Sequence, residues 1–529
     1  MFFLLFFLSL LIFFSTIGYG FIFLKLFKLE NFDYNFGIVG ITGLFFLSII
    51  SSYSHLLFPH NYIHNIIIII VGLFSLMFNK IITFREIKSQ TILFAMLFIA
   101  LLIAKTNEDF GYYHLPNSIQ FAEQKLQFGL GNLNHGFKHI SSLFMIMSLN
   151  YLPFIDHYLF NLTNFLFLVF FVAFILKEIF FQKKNNLNFS NIILSFILIL
   201  ILSKFSRLAE YGSDLAGQII LFIFVFFLIE FFFNPKIRNK KLNYLKISSI
   251  LIIFATTLKF ISVIYAILLL PLFLMKKKND LILGLLKIKN LVFIISPILI
   301  FIFLNFSATG CLIYPVEALC FTKSFDWALS LDTIKYLNTH YEIWSKGGMG
   351  PGFSINNKEK YLENFNWISH WIEIYFFGKF TDYILVILII TIIFASFFYK
   401  ELKNKKINKS QFNKSLFLFY FLLLIIFLIW FLNFPTLRYS GYAIVFLLII
   451  FPISFYFSGK IDLSNKNILK KISIIFFISY TIFVYKNVSR IYNEFQLSKI
   501  DHNNFKDFPF YWIDKNKFKE VLVDNHYLY

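Results

Sequence analysis

Charged residues are scarce in this sequence, and acidic residues are the scarcest of them. Asp, Glu, Lys and Arg make up 14% of the 529 residues, whereas 58% are hydrophobic, and the mean hydropathy is +0.73. A soluble protein of this length needs far more polar groups to cover its surface, so a soluble globular chain is excluded. The composition predicts a chain that is mostly embedded in a membrane.

Nucleotide-binding motifs are also missing from the sequence. There is no Walker A motif and no G-x-G-x-x-G motif between a strand and a helix. The glycine-rich run at 347–352 falls in a predicted external loop, where it reads as a flexible turn rather than a phosphate-binding loop. These absences weigh against an ATP-driven pump and against an enzyme that takes a nucleotide-sugar from the cytosol.

Cysteine is nearly absent, and the two cysteines, Cys311 and Cys320, fall in one predicted external loop. A disulfide and a pair of free thiols are both compatible with this position. The apolar N-terminus has neither a basic n-region nor a small-residue cleavage site. It is therefore predicted to be a retained transmembrane helix rather than a signal peptide.

The net charge of +20 comes from lysine clusters that lie between apolar runs, for example at 276–278 and 403–406. Such clusters hold loops in the cytoplasm. This distribution argues against a nucleic-acid partner and for membrane lipids as the surroundings. With the N-terminus outside, every lysine-rich loop falls on the cytoplasmic side.

Long apolar runs predict an all-α integral membrane protein with about 12–14 transmembrane helices, since a spanning helix needs about 20 apolar residues. The short runs 247–258 and 260–275 are also compatible with one kinked hairpin. A further run, 140–154, is too short to span and is predicted to be re-entrant or interfacial. The predicted spans are 3–24, 37–58, 63–79, 90–104, 158–181, 189–203, 215–233, 247–258, 260–275, 288–305, 382–399, 415–433, 441–458 and 472–486.

Residues 1–486 are predicted to form one polytopic domain with two large external loops, 105–139 and 306–381. The second loop closes with a predicted amphipathic helix that lies in the membrane interface. The tail, 487–529, is predicted to be short, extracytoplasmic and packed against the external face. The apolar stripe of the predicted interfacial helix consists of Tyr361, Phe365, Ile368, Ile372 and Tyr375.

An acidic pair, Glu108 and Asp109, follows a predicted helix at the external surface. Adjacent carboxylates repel each other, which raises one pKa unless a cation is near. Such a pair suits metal binding or general-base catalysis, and the alternative is a solvated acidic turn. Tyr113 and His114 follow at once, either as interface anchors or as substrate-binding groups.

Basic residues occur at comparable depth in three other hairpins, namely Arg207, Lys259 and Arg438. Glu210 and Asp214 lie at the same level. Charges near membrane helices usually face a cavity or one another. An arginine in this place either snorkels to the surface or holds a phosphate bidentately. The hypothesis is that at least two of these basic residues converge with the acidic pair.

Three short segments resemble the GT-C superfamily of polytopic glycosyltransferases, which carry an acidic pair in their first large external loop. They are Asn107–Pro116, Thr309–Pro315 and Pro435–Tyr439, the last similar to a Pro-x-x-Arg-Tyr element. Two features depart from the family pattern. Cys311-Leu312 stands where Asn-Pro is expected, and about three extra helices precede the acidic loop. Residues 1–80 are therefore an N-terminal addition or the mark of a divergent branch.

The resemblance implies a sugar donor on a polyprenyl phosphate and an acceptor that is a glycan, a lipid or a protein. Asp109 or Glu108 would deprotonate or orient the acceptor hydroxyl, and this pair is also compatible with Mg²⁺ or Mn²⁺, which not all members require. The resemblance further implies that the protein lies in a bacterial inner membrane and that its active site faces the periplasm. The residues expected to bind substrate are Tyr113, His114, Arg207, Lys259, Arg438 and Tyr439.

Two alternative functions stay open. An O-antigen polymerase or ligase also has many spans and a late external loop, but such enzymes depend on external arginines, and 306–381 contains none. A transporter or flippase typically shows internal repeats and matching broken helices in its two halves. No convincing repeat is found here.

Overall fold

The computed structural model describes residues 2–497 apart from 30–34, 80–82, 103–108, 182–187, 205–210, 276–277, 351–352, 405–413, 462 and 464. Helices dominate this part of the chain. The N-terminal half contains α1 Phe2–Leu26, α2 Phe36–His55, α3 Tyr62–Met77, α4 Phe84–Leu97, α5 Leu115–Glu123, α6 Ser142–Ser148, α7 Leu162–Leu176, α8 Asn188–Lys204, α9 Asp214–Phe233 and α10 Lys241–Leu258.

The C-terminal half continues with ten further α-helices and one short antiparallel strand pair. The strands are β1 Met349–Gly350 and β2 Phe353–Ser354. The helices are α11 Lys278–Leu285, α12 Ile288–Thr309, α13 Leu331–Ser345, α14 Lys358–Leu362, α15 Trp367–Trp371, α16 Thr381–Phe397, α17 Tyr399–Asn404, α18 Lys414–Asn433, α19 Tyr442–Ser458 and α20 Lys466–Leu497.

Short 3₁₀- and π-helical segments connect or extend the α-helices. The 3₁₀ segments are Phe98–Leu101, Leu130–Asn132, His135–Lys138, Pro235–Lys240, Phe260–Leu274 and Glu317–Leu319. The π segments are Phe110–His114, Lys177–Phe181, Ile372–Phe380 and Leu437–Gly441.

Ten helices in the described part are long and apolar enough to cross a membrane, and three shorter helices are also apolar. The prediction of an all-α integral membrane protein is confirmed. The ten are Phe3–Leu26, Phe36–His55, Leu162–Phe181, Asp214–Phe233, Pro235–Leu258, Ile288–Thr309, Trp367–Phe397, Leu416–Asn433, Leu437–Ser458 and Lys466–Asn493; the shorter three are Tyr62–Met77, Asn188–Lys204 and Phe260–Leu274.

The bundle has a protein-buried centre and a periphery that is open to lipid. In the most apolar stretch of α9, 89% of the residues are buried, and in that of α2 83% are buried. In the corresponding stretch of α18 only 28% of the residues are buried. Helix α9 therefore lies at the centre, and α18 presents most of its apolar surface outward. A helix that is hydrophobic on all sides is expected in both places in a membrane protein.

The short hairpin is present as predicted, with its break at Lys259. Helix α10 ends at Leu258, Lys259 adopts an extended backbone, and the apolar 3₁₀ segment Phe260–Leu274 packs back along α10. The predicted re-entrant or interfacial run contains α6, all of whose residues are buried. Because α6 packs between α2 and α5, it belongs to the interior of the bundle.

The predicted interfacial helix is wrong as a continuous element. Helix α14 ends at Leu362, and Asn364 has φ 50°, a left-handed conformation that an α-helix cannot contain. Helix α15 starts afterwards and continues through a π-helical segment into α16. Phe365 of the expected apolar stripe is 62% exposed. Residues 487–497 of the predicted tail extend α20, and the rest of that tail lies outside the described residues.

Candidate functional site

Four charged side chains from distant parts of the chain meet at one end of the bundle. Asp109 directly precedes the π-helical turn that leads into α5, and Asp214 is the first residue of α9. Lys259 stands at the break after α10, and Arg438 lies in the π-helical turn before α19. Asp214, Lys259 and Arg438 therefore lie at the ends of apolar helical segments, and Asp109 joins them from the segment before α5.

Arg438 bridges the two carboxylates. Its Nε donates to Asp214 Oδ2 over 2.9 Å, and its Nη2 donates to Asp109 Oδ2 over 3.1 Å. The side chains of Arg438, Asp109 and Asp214 are 31%, 29% and 18% exposed. Ion pairs of this intermediate burial are worth more than surface pairs, because water screens them less.

Lys259 completes the network from the other side. Its Nζ lies 2.6 Å from Asp214 Oδ1 and 4.9 Å from the centre of the Tyr439 ring. The guanidinium of Arg438 lies 5.3 Å from the Trp344 ring and 5.9 Å from the Tyr439 ring. Aromatic faces attract cations and restrict their movement, so both cations are held between a carboxylate and an aromatic ring.

The turn that carries Arg438 is fixed by polar contacts from other helices. Ser440 has φ 62°, and its carbonyl oxygen accepts a hydrogen bond of 2.9 Å from the Tyr265 hydroxyl. The Gln218 side chain accepts from Ala443 N over 2.9 Å. A kinked turn with these supports holds its arginine in one place, as a binding site requires.

The long segment after α12 adds two further contacts to the same turn. Trp371 Nε1 donates to Pro435 O over 2.9 Å, and Leu437 N donates to the Tyr375 hydroxyl over 2.6 Å. Both aromatic side chains come from the stretch predicted to form the interfacial helix. That stretch therefore braces the turn.

The carboxylates of Asp109 and Asp214 differ in how many of their oxygen atoms are occupied by the cations. Both oxygens of Asp214 are used, one by Lys259 and the other by Arg438. Asp109 is the more exposed of the two, and within the described residues its contact with Arg438 is its only ion pair or hydrogen bond. Asp214 is therefore suited to position the cations, and Asp109 is suited to accept a proton.

Tyr113 and His114 border the network without a hydrogen bond to it among the described residues. Burial raises the pKa of the Tyr113 phenol, and the charge of Arg438 acts against that rise. Burial lowers the pKa of the His114 imidazole to about 4, so His114 is neutral at physiological pH. His114 therefore adds no charge to the site, and neither does Tyr113.

Two predicted site residues, Glu108 and Arg207, lie outside the described residues. The structure thus brings together Asp109, Lys259, Arg438 and Tyr439 from the predicted set, with Tyr113 and His114 beside them. The acidic pair is represented by Asp109 alone.

Asp214 is a functional candidate that the sequence pattern did not single out. It was one of several charges at the same depth, whereas the structure makes it the bridge between both cations. A signal was present, because Asp214 opens an apolar helix in a chain with few acids. An acidic residue at a membrane helix end usually has a partner.

Within the described part of the chain, no three His, Cys, Asp or Glu side chains lie close enough together to hold a metal ion. Since Glu108 lies outside that part, metal binding at the acidic pair stays a prediction. Carboxylate oxygens of the kind that Asp109 presents are the ligands that Mg²⁺ and Mn²⁺ prefer.

A family model described as a domain of unknown function (DUF8201) matches residues 1–446. The match begins at the first residue, so the four helices that precede the acidic loop, α1 to α4, are part of the unit that this family shares. No curated protein and no solved structure matches the chain.

Proposed function

The chain belongs to the DUF8201 family, and we propose that it is a membrane glycosyltransferase that uses a polyprenyl-phosphate-linked sugar. The observation that supports this proposal most directly is the network of Asp109, Arg438, Asp214 and Lys259. It offers a partly exposed base next to two fixed cations. Transfer of a sugar from a lipid phosphate requires these two kinds of group.

The reaction joins an acceptor oxygen to the anomeric carbon of the donor sugar. Asp109 takes the proton of the acceptor hydroxyl, and that oxygen attacks the anomeric carbon. The bond from this carbon to the phosphate oxygen breaks, and its electron pair leaves with the lipid phosphate. Arg438 and Lys259 stabilise the negative charge that grows on the leaving group.

The remaining predicted residues have supporting roles. Asp214 is a positioning residue, because it holds Arg438 and Lys259 without an oxygen to spare. Tyr439 and Tyr113 present aromatic surface, on which sugar rings stack well, and His114 lies behind Tyr113. By the resemblance, Glu108 assists Asp109, and Arg207 adds a third cation to the phosphate site. A divalent cation at Glu108 and Asp109 would polarise the acceptor oxygen when bound.

We place this site on the periplasmic side of a bacterial inner membrane. The lysine-rich start of α10, which contains Lys241 and Lys246, supports this orientation, because basic clusters favour the cytoplasmic side. The site residue Lys259 lies at the opposite end of α10, roughly 20 Å from Lys246. The disulfide between Cys311 and Cys320 also supports it, because disulfides persist in oxidising compartments. It follows α12 directly, in the segment that also carries Trp344.

Loss of the gene is expected to remove one sugar from a surface glycan, glycolipid or glycoprotein. Mass analysis of these classes in the deletion strain identifies the missing residue, and the wild-type gene should restore it. An unchanged mass profile would contradict the proposal. Accumulation of a complete glycan on the cytoplasmic side would instead favour the transporter alternative.

The orientation is tested by the accessibility of single cysteines. We expect Cys320 in a Cys311→Ser variant to react with a membrane-impermeant maleimide in spheroplasts, because Cys320 is partly exposed at the site end of the bundle. As a control, Lys466→Cys in a cysteine-free background should react only after the membrane is permeabilised, since Lys466 is exposed at the other end. The reverse labelling pattern would place the site in the cytoplasm.

A further inference from the structure

A second polar cluster lies beside the site, around the hydroxyl of Tyr341. His135 Nε2 lies 3.0 Å and His139 Nε2 3.1 Å from this hydroxyl oxygen, and the Tyr314 hydroxyl lies 3.2 Å away. The two histidines flank the short 3₁₀ segment before α6, whereas Tyr341 comes from α13. The cluster thus joins the two large loops predicted to be external.

The hydrogen-bond pattern leaves ring nitrogens free on both histidines. A phenol hydroxyl donates one hydrogen bond and accepts two, so three partners saturate Tyr341. Each imidazole uses Nε2 for this contact, and within the described residues the Nδ1 atoms of His135 and His139 form no hydrogen bond. Because the phenol has a single proton, one imidazole can accept it at Nε2 and carry its own proton at Nδ1, where it can donate to a ligand. The other imidazole donates from Nε2 and presents Nδ1 as an acceptor.

Lys138 is the unusual member of this region. It is 9% exposed, and within the described part of the chain no carboxylate or hydrogen-bond acceptor contacts its ammonium group. Its aliphatic stem passes close to Gly131, where an added Cβ would lie 3.2 Å from Lys138 Cγ. The stem is buried while the ammonium group reaches an accessible position without a carboxylate partner among the described residues, so the charge is available to an anionic ligand.

Lysine and arginine side chains, together with other histidines, are the titratable groups of the described residues that act on the two imidazoles. Burial, together with smaller contributions from Lys138 and His340, lowers the pKa of His135 to about 4. Burial likewise lowers the pKa of His139 to about 3, with smaller contributions from His135, Lys259, Arg438 and Lys138. Both imidazoles are thus neutral, and one of them can donate from Nδ1 close to a lysine and to the site cations.

We propose that Lys138, His135 and His139 form a second oxyanion subsite, with Tyr341 as the residue that orients both imidazoles. One ammonium and one neutral N–H donor suit the oxygens of a phosphate or a carboxylate, and the Nδ1 acceptor of the other imidazole suits a hydroxyl group of the same ligand. As a substrate subsite this inference rests on the proposed function. As an anion site it can be tested by binding alone.

The subsite adjoins the Arg438 network through Tyr113. The centroids of the Tyr113 and His139 rings are 5.7 Å apart. Tyr113 is also close enough to Arg438 for the guanidinium charge to act on the pKa of its phenol. A substrate that carries two oxyanions, or a donor and an acceptor that carry one each, can therefore occupy both subsites. The second oxyanion is either the outer phosphate of a lipid diphosphate or an acidic group on the acceptor.

The proposal is tested by calorimetric binding measurements on the full-length protein in nanodiscs. The four probes are inorganic phosphate, glucuronate, farnesyl phosphate and farnesyl diphosphate. Lys138→Met keeps the stem and removes the charge. We expect it to weaken at least one probe by about tenfold to a hundredfold, the usual worth of a hydrogen bond to a charged group. Lys138→Arg should keep most of the affinity. Lys125→Met, an exposed lysine in the same loop, is the matched control.

The pattern of losses identifies the source of the anion. Weaker binding of the diphosphate with unchanged farnesyl phosphate assigns the subsite to the donor. Weaker binding of glucuronate or inorganic phosphate, with both lipid probes unchanged, assigns it to an acidic acceptor. Equal affinities of Lys138→Met and Lys125→Met for all four probes overturn the proposal. The same losses are expected in an Asp109→Asn background, so failure of the transfer hypothesis is seen separately.

Discussion

The Asp109→Asn variant is expected to lose sugar transfer by about 10²- to 10⁴-fold, the usual contribution of a general base. The amide cannot take up the acceptor proton, whereas its oxygen can still accept the hydrogen bond from Arg438 Nη2. The fold should therefore survive the change. The measurement is restoration of the missing sugar in the deletion strain, normalised to the amount of protein in the membrane.

Asp326→Asn is the matched control for this substitution. Asp326 is an exposed aspartate in the same large loop as Trp344, and no ion pair holds it in the described structure. Its variant should transfer sugar at the wild-type rate. Full transfer by Asp109→Asn at normal abundance would remove Asp109 from the mechanism, and Glu108→Gln would then have to be tested as the base.

The Arg438→Gln variant is expected to fail in two ways. Transfer should fall by roughly 10²- to 10³-fold, since a donor to the developing charge of the leaving group is lost. Stability should also fall, because Asp109 and Asp214 both lose their guanidinium partner. We expect about 1 to 3 kcal/mol, between the small value of exposed ion pairs and the larger one of buried pairs.

A second substitution separates these two effects. Arg438→Gln combined with Asp214→Asn removes one charge of each sign, so the net charge of the network stays unchanged. We expect the double variant to regain much of the thermal stability in detergent but none of the transfer. If it regained transfer as well, Arg438 would be a structural residue only. If the single variant kept full activity, no phosphate role for Arg438 would remain.

The membrane architecture could be predicted from the sequence because a bilayer imposes a simple rule. Each span must be apolar over about 20 residues, and its basic ends stay on one side. Every run of this kind contains helix in the structure, including the unusual hairpin that turns at Lys259. The same reasoning predicted that at least two of Arg207, Lys259 and Arg438 would meet the acidic pair. In the structure Arg438 contacts Asp109 directly, and Lys259 joins the same network through Asp214.

The interfacial helix could not be predicted correctly from its periodicity. The spacing of Tyr361, Ile368 and Ile372 matches a helix, but periodicity does not reveal the left-handed residue Asn364 between two short helices. The contacts of Trp371 and Tyr375 with the turn of Arg438 also join residues distant in sequence. Tertiary packing outweighed the local pattern in this segment.

The sequence by itself determined that this chain is a bundle of membrane helices, because that property depends on local composition and the solvent. It also marked Asp109, Lys259 and Arg438 as charges that need partners. Only the tertiary structure decided the pairing. Asp214 holds two cations, and Lys138 is buried without a partner in the described structure. The reason is geometric, since such contacts depend on how helices distant in sequence pack against each other.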